Sequence, residues 1–257
     1  SLLRGSKYVR SSTGDSYLGA KRFLQDGVPV LFTGTSCQIA GLKRFLRKDY
    51  DLLYTMDVIC HGVPSPQVWK DYLHSILSVS DIESISFRNK STGWKNFSFA
   101  IRGKDNSMFV EPFTQNLFMK GFLNNFFLRP SCYNCPSKKG KANSDFTVGD
   151  FWGVDKKHPE LDDDKGISVV LINTTKGDVL YQSCGIEKKQ VSYSDVVEHN
   201  RAMVASPYKE WYNTLFWYGF ANKGVEAIDW LLNIKYKASK LKRLYYKIVV
   251  FYLRKFR

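Results

Sequence analysis

Two short apolar runs with a helical pattern between them constrain this chain most. Val28 to Thr33 reads as a strand, Gly34-Thr35-Ser36-Cys37 as a tight turn, Gln38 to Arg47 as a helix, and Leu52 to Ile59 as a second strand. A strand, a helix and a strand in that order close as a right-handed crossover with the two strands parallel. Cys37 then lies just past the carboxyl end of the first strand and Cys60 just past that of the second. Both thiols are expected to emerge on one edge of one sheet, the edge at which open α/β sheets bind ligands. An amphipathic stretch from Ser16 to Asp26 leads into this unit.

Downstream, Ser65 suits a helix N-cap and Pro66 the first helical position of a helix reaching about Leu77. Alternating segments at Ile82 to Phe87, Asn96 to Arg102 and Ser107 to Glu111 predict a three-stranded meander. A helix fits Phe113 to Phe126, and Arg129 to Pro136 reads as a loop by its proline content. A strand is expected over Asp145 to Gly149, ending in Asp150-Phe151-Trp152-Gly153. Another is expected over Ile167 to Ile172, then a helix near Lys176 to Cys184 and a short strand around Val191. Beyond Asp195 the pattern is helical to the end. The fold class predicted is α/β, a mixed sheet with flanking helices and a basic helical C-terminal tail.

The cysteines carry the chemistry. Five in 257 residues, two of them as Cys132-Tyr133-Asn134-Cys135, do not form the dense framework of a secreted disulfide scaffold. A reducing cytoplasm fits better, with the thiols reserved for metal. A soft thiolate site needs three or four converging sulfurs, and an iron-sulfur cube typically takes four. Cys37, Cys60, Cys132 and Cys135 are the four candidates. Cys37 opens a helix, where free amides and the positive end of the dipole suit an anionic sulfur. Taken alone, Cys-x-x-Cys is also compatible with a zinc knuckle or a redox dithiol. Zinc sites commonly use two such knuckles and this chain has one, while Pro136 argues against the helix a redox dithiol starts. Iron-sulfur is therefore favoured. Cys184, alone on a helical pattern, is assigned no role.

Charge is unevenly placed. Of a net +14, nine positive charges fall from Lys235 to Arg257, a stretch with no acidic residue, which leaves +5 for the rest. Such a tail favours acidic partners in general. Its cations interleave with Leu241, Leu244, Tyr245, Ile248, Val249, Phe251, Tyr252 and Phe256. Residues 235–257 are thus read either as lying in a membrane interface, with peripheral contact at the inner membrane face, or as a terminal helix packed on the body with a wet basic face. No apolar run reaches the length of about 20 residues that spanning requires. No nucleic-acid-binding signature is present, and no nucleic-acid partner is expected. The chain starts at Ser1, without Met or a leader pattern, and is expected to be a piece of something longer.

Four separated motifs, in order, resemble a known family. They are Gly34-Thr35-Ser36-Cys37-Gln38-Ile39-Ala40-Gly41-Leu42, Ile59-Cys60-His61-Gly62-Val63-Pro64-Ser65, Leu128-Arg129-Pro130-Ser131-Cys132-Tyr133-Asn134-Cys135 and Gly149-Asp150-Phe151-Trp152-Gly153. The sequence resembles the coenzyme F-420 hydrogenase/dehydrogenase beta subunit family, C-terminal region, over about the first 175 residues. The resemblance implies a flavoprotein that carries FAD and a 4Fe-4S cluster and passes electrons to or from a deazaflavin or another small-molecule acceptor. It carries the four cysteines over as cluster ligands. It also implies flavin contacts from Lys7, from Gly34, Thr35 and Ser36, and from Trp94, Lys95 and Asn96. Ser36 stands where the family usually has proline. The upstream ferredoxin-like module often seen in relatives is absent from these residues, so a ferredoxin-like electron donor, as a domain or a separate protein, is an expected partner.

The division expected is residues 1–200 as the iron-sulfur and flavin domain and 201–257 as a helical, basic extension. The function expected is an electron-transferring oxidoreductase. Two rivals stand beside it: a ferredoxin-dependent reductase in cell-surface polysaccharide metabolism, and a zinc-stabilised interaction protein without redox activity. His61, beside Cys60, is a candidate for hydrogen-bonding the cluster or shuttling a proton, or a structural residue of its Gly-Val-Pro turn. Asp150 is a candidate for orienting substrate or flavin, or a turn cap. Asp162 to Asp164 lack the alternating spacing of a calcium loop and are assigned no metal.

Overall fold

The computed structural model describes residues 7–255 and divides the chain into two compact units. One comprises Ser11–His61 and Asn134–Ser206. The other comprises Gly62–Tyr133 and the chain from Pro207 onward, together with 7–10. This partition differs from a cut at residue 200, because the C-terminal helices share a core with Gly62–Tyr133.

The chain enters the first unit with α1 (Ser16–Gln25), β1 (Val30–Thr35), α2 (Ser36–Leu46) and β2 (Leu53–Val58). β1 and β2 pair in parallel, Val30 against Leu53 through Thr35 against Val58, as the strand-helix-strand pattern predicts. Helix α2 begins where Gln38 Oε1 accepts the Thr35 amide at 2.9 Å, one half of a capping box. Ala20 and Leu24 of α1 pack with Leu42 and Leu46 of α2 and Leu53 of β2, which buries the amphipathic faces of both helices.

In the second unit the chain forms α3 (Pro66–Ile76), β3 (Ile82–Asn89), β4 (Ser98–Gly103), β5 (Met108–Pro112) and α4 (Leu117–Leu123). Ser65 caps α3 and Pro66 takes its first position, as expected. The three strands form the antiparallel meander. Helix α4 is shorter than the expected Phe113 to Phe126. The buried Asn116 starts it by accepting the Met119 amide at 3.0 Å, and Asn125, at φ 60°, lies beyond its end. Cys132 lies in a 3-10 turn over Pro130–Asn134 rather than an open loop.

Back in the first unit, β6 (Phe146–Asp150) pairs in parallel with β2, and after α5 (Val154–Lys157), β7 (Ser168–Ile172) pairs antiparallel with β6. The sheet order β1-β2-β6-β7 makes it mixed, as predicted. Helices α6 (Thr175–Ser183) and α7 (Tyr193–His199) follow. The strand expected around Val191 does not form. That stretch is coil, and Val191 instead packs half-buried against the cluster of Phe151, Val154, Val169 and Val196. The chain ends in the second unit with α8 (Trp211–Lys223), α9 (Ala227–Tyr236) and α10 (Lys240–Lys255).

Aromatic packing dominates the second unit. Fully buried Phe118 lies 4.8 Å from Trp69, 5.4 Å from Tyr72 and 5.4 Å from Phe127, ring centre to ring centre. In the first unit, buried Asp145 ties the amino ends of β2 and β6 together. Its carboxylate accepts the Thr55 amide at 2.7 Å, the Thr55 hydroxyl at 2.8 Å and the Thr174 hydroxyl at 2.7 Å, with Lys176 at 4.0 Å. Burial pushes this carboxyl upward, but the hydrogen bonds and Lys176 together outweigh it and hold it below the usual carboxylate range.

Two outcomes are expected. Phe118→Ala should lower the unfolding free energy by about 3–5 kcal/mol in a denaturant titration. A loss below about 1 kcal/mol would show that the ring cluster collapses around the gap. A carboxyl depressed in the folded state adds stability above its unfolded value of about 3.9, and that stability is lost as pH falls through the lower folded value. Asp145→Asn should therefore reduce stability at neutral pH and flatten the acid limb of the stability curve. Acid limbs of equal steepness would overturn the assignment.

Candidate functional site

Parallel pairing sends β1, β2 and β6 toward one edge of the first unit's sheet, and their carboxyl ends are Thr35, Val58 and Asp150. The structure thus brings Cys37, Cys60 and Asp150 to a common edge. Cys37 is the second residue of α2 and is exposed, with the Thr35 hydroxyl 3.2 Å from its sulfur. Ser36 donates its hydroxyl to Asp57 Oδ2. The other oxygen of that buried carboxylate accepts the hydroxyls of Ser144 and Thr147, each at 2.6 Å. A serine where the family resemblance leads one to expect proline therefore has a physical partner. Gly34 is also constrained, because a Cβ there would stand 3.1 Å from the capping oxygen of Gln38.

Cys60 follows β2 and is half-buried. Its carbonyl accepts from Lys138, whose ammonium also reaches the Ala202 carbonyl. Cys135, half-buried in the same unit, has its amide donating to Ser206 Oγ at 2.9 Å. One lysine thus ties the Cys60 segment to the stretch three residues beyond Cys135. His61 is half-buried beside Cys60, and Asp150 closes β6 opposite Ser168 of β7.

The motif that follows Asp150 is set by space. A Cβ on Gly149 would lie 2.6 Å from Ile59 Cδ1, and Gly153 has φ 81° with its Cβ position 2.1 Å from the His199 ring. No side chain fits at either place.

Cys132 belongs to the second unit. Its sulfur accepts the Val63 amide at 3.4 Å, and its own amide donates to the Arg129 carbonyl at 2.8 Å. The segment is pinned by Arg129 N to Val63 O at 2.7 Å and by Ser65 N to Phe127 O at 2.8 Å. Next to it, the hydroxyl of half-buried Tyr133 donates to Asn125 O at 2.5 Å and accepts from Asn213 at 2.8 Å. Burial pushes its pKa up to about 12. Along the sequence, Cys60, Cys132 and Cys135 adjoin the points at which the chain leaves one unit for the other, His61 to Gly62 and Tyr133 to Asn134, whereas Cys37 lies within the first unit.

The residues expected to contact flavin divide between the units. Gly34, Thr35 and Ser36 line the first unit's sheet edge. Lys7, exposed, belongs to the second unit, as do Trp94, Lys95 and Asn96. Trp94 is buried with the Arg88 guanidinium 5.3 Å from its ring centre, while Lys95 and Asn96 are exposed ahead of β4. The donor chemistry of the four thiols suits a cluster, and none is engaged in a disulfide. Their arrangement does not by itself make a metal site. Among the described residues no group of three or more His, Cys, Asp or Glu side chains is placed to hold a metal ion.

Sequence reasoning passed over Asp57, Ser144, Thr147 and Lys138. The signal for Asp57 was available as a lone carboxylate within the strand run Leu52 to Ile59, a position that burial tolerates only with partners. Ser144, Thr147 and Lys138 have no local signal, because their partners lie 64 to 90 residues away.

Comparison with known families matches residues 28–199 to one described as coenzyme F-420 hydrogenase/dehydrogenase, C terminus of the beta subunit. A search of curated proteins finds no match. The matched span contains Cys37, Cys60, Cys132, Cys135 and the Asp150 strand end, so the chain belongs to the coenzyme F-420 hydrogenase/dehydrogenase beta subunit family and has that family's oxidoreductase character.

Proposed function

We propose that this protein is an electron-transferring oxidoreductase that works with a 4Fe-4S cluster and a bound FAD and passes electrons to or from coenzyme F-420 or another small-molecule acceptor. The observation that carries the reading is the shared carboxyl edge of β1, β2 and β6, which presents Cys37, Cys60 and Asp150 together within the family's span. Cys37, Cys60, Cys132 and Cys135 are the proposed cluster ligands. A flavin, when bound, divides a two-electron exchange into single-electron steps.

The chain's own groups supply the setting. The Thr35 hydroxyl lies within hydrogen-bond distance of the Cys37 sulfur, and the Val63 amide donates to that of Cys132. The Gly34-Thr35-Ser36 turn, held by Gln38 and Asp57, presents backbone amides at a helix start, which suits the pyrophosphate of a dinucleotide. His61 and Asp150 are the proposed groups for holding a proton or orienting the acceptor. A ferredoxin-like protein or domain is the proposed electron donor.

Anaerobic purification followed by absorption spectroscopy and assays of iron, sulfide and flavin tests this reading. The expected result is bound flavin with about four irons per chain and a broad absorbance at about 400 nm. In Cys132→Ser the iron and that absorbance should fall while the far-ultraviolet circular dichroism is unchanged. A colourless protein with one zinc and no flavin would overturn the proposal and leave an interaction module.

A further inference from the structure

Helix α10 has two apolar faces, and only one is used. Toward the body it packs on α8 and α9. Tyr246 stands edge-on to Trp230 at 5.7 Å, Val250 is 3% exposed, and Arg254 Nε donates to Thr214 Oγ1 at 3.2 Å. Val249 and Leu253 are half-buried, whereas Leu241, Leu244, Tyr245, Ile248, Phe251 and Tyr252 face outward. Leu241 is 79% exposed, Phe251 63% and Tyr245 61%. At 3.6 residues per turn these six fall within an arc about 120° wide. Lys240 and Lys247 border one side of it, Lys242 lies beyond the other, and Lys255 stands at its C-terminal end. All four lysines are exposed.

We infer that this outward face of α10 is a docking surface for the headgroup layer of an anionic phospholipid bilayer, with the helix lying in the plane of the membrane. Two features select that occupant. The apolar arc provides the part that enters the acyl boundary, and its tyrosines are amphipathic side chains suited to headgroup depth. The cations at its margin, in a stretch from Trp230 to Arg257 without one acidic residue, are complementary to anionic lipid. A second copy of the chain would bring two such basic stretches face to face, which their charge opposes. The helix lies on the surface rather than crossing it. It has 16 residues, and no helix among the described residues is long and apolar enough to span. The inference stands independently of the redox reading.

The test is flotation of the full chain with two kinds of vesicle, phosphatidylcholine alone and phosphatidylcholine with about a third phosphatidylglycerol. The protein should float with the anionic vesicles and not with the neutral ones, and about 1 M salt should weaken the association. Leu244→Asp combined with Ile248→Asp alters only exposed positions, so the denaturation midpoint should hold while vesicle binding falls about tenfold or more. Replacing Lys240, Lys242 and Lys247 with Gln should weaken binding comparably. Replacing the exposed Lys48, Lys104 and Lys188 with Gln removes the same charge elsewhere and should not. Equal losses in the two lysine sets would reduce the effect to net charge and overturn the inference. So would absence of flotation, whether alone or accompanied by dimerisation that the aspartate variant abolishes.

Discussion

The parallel pairing of β1 with β2 is the constraint from which the candidate site follows. Because the two strands run together from Val30 and Leu53 to Thr35 and Val58, whatever comes after either leaves the sheet at the same level. The main chain alone would place the Cys37 turn and the Cys60 segment side by side without fixing them. Asp57 adds the fixing. It sits opposite Gly34 and reaches Ser36 at the start of α2, while its other oxygen is held by hydroxyls from Ser144 and from Thr147 on β6. A carboxylate buried to this degree is tolerated only when hydrogen-bonded. One side chain of β2 thus joins the start of α2 to β6.

The legible parts of the chain were those with local periodicity or a chemical punctuation mark. The β1-α2-β2 unit, the Ser65-Pro66 helix start and the three-stranded meander rest on patterns only a few residues long. The helix expected over Phe113 to Phe126 failed at both ends for one reason. Its apolar periodicity is real, but Asn116 and Asn125 take conformations and hydrogen bonds that a helix interior does not offer. Val191 misled in the opposite sense, as an apolar residue that packs without a strand partner.

The cysteines mark the limit of that legibility. Spacing and residue type say what sulfur can do, and strand topology says which edge Cys37 and Cys60 share. Neither gives the position of Cys132, which depends on the pairing of 63–65 with 127–129, some sixty residues apart. The sharing of a core between Gly62–Tyr133 and the C-terminal helices is likewise carried by contacts such as Phe127 with Phe216, at 5.3 Å, which no local pattern announces. In α10 both faces are apolar, so periodicity could not tell the packed one from the open one.

The interleaving of the two units bears on how the chain is made. Neither unit is a continuous segment. During synthesis β1, α2 and β2 emerge early, but β2 meets its other neighbour only when β6 appears, with Met56 and Phe146 ninety residues apart. The second unit is left longer, with the aromatic surface of α3 and α4 waiting for α8. Such long-range closure slows folding, and meanwhile it leaves a strand edge and a patch of phenylalanines open to the wrong partners. A nascent chain of this design is a natural client for chaperones that shield apolar surface until the last helices arrive.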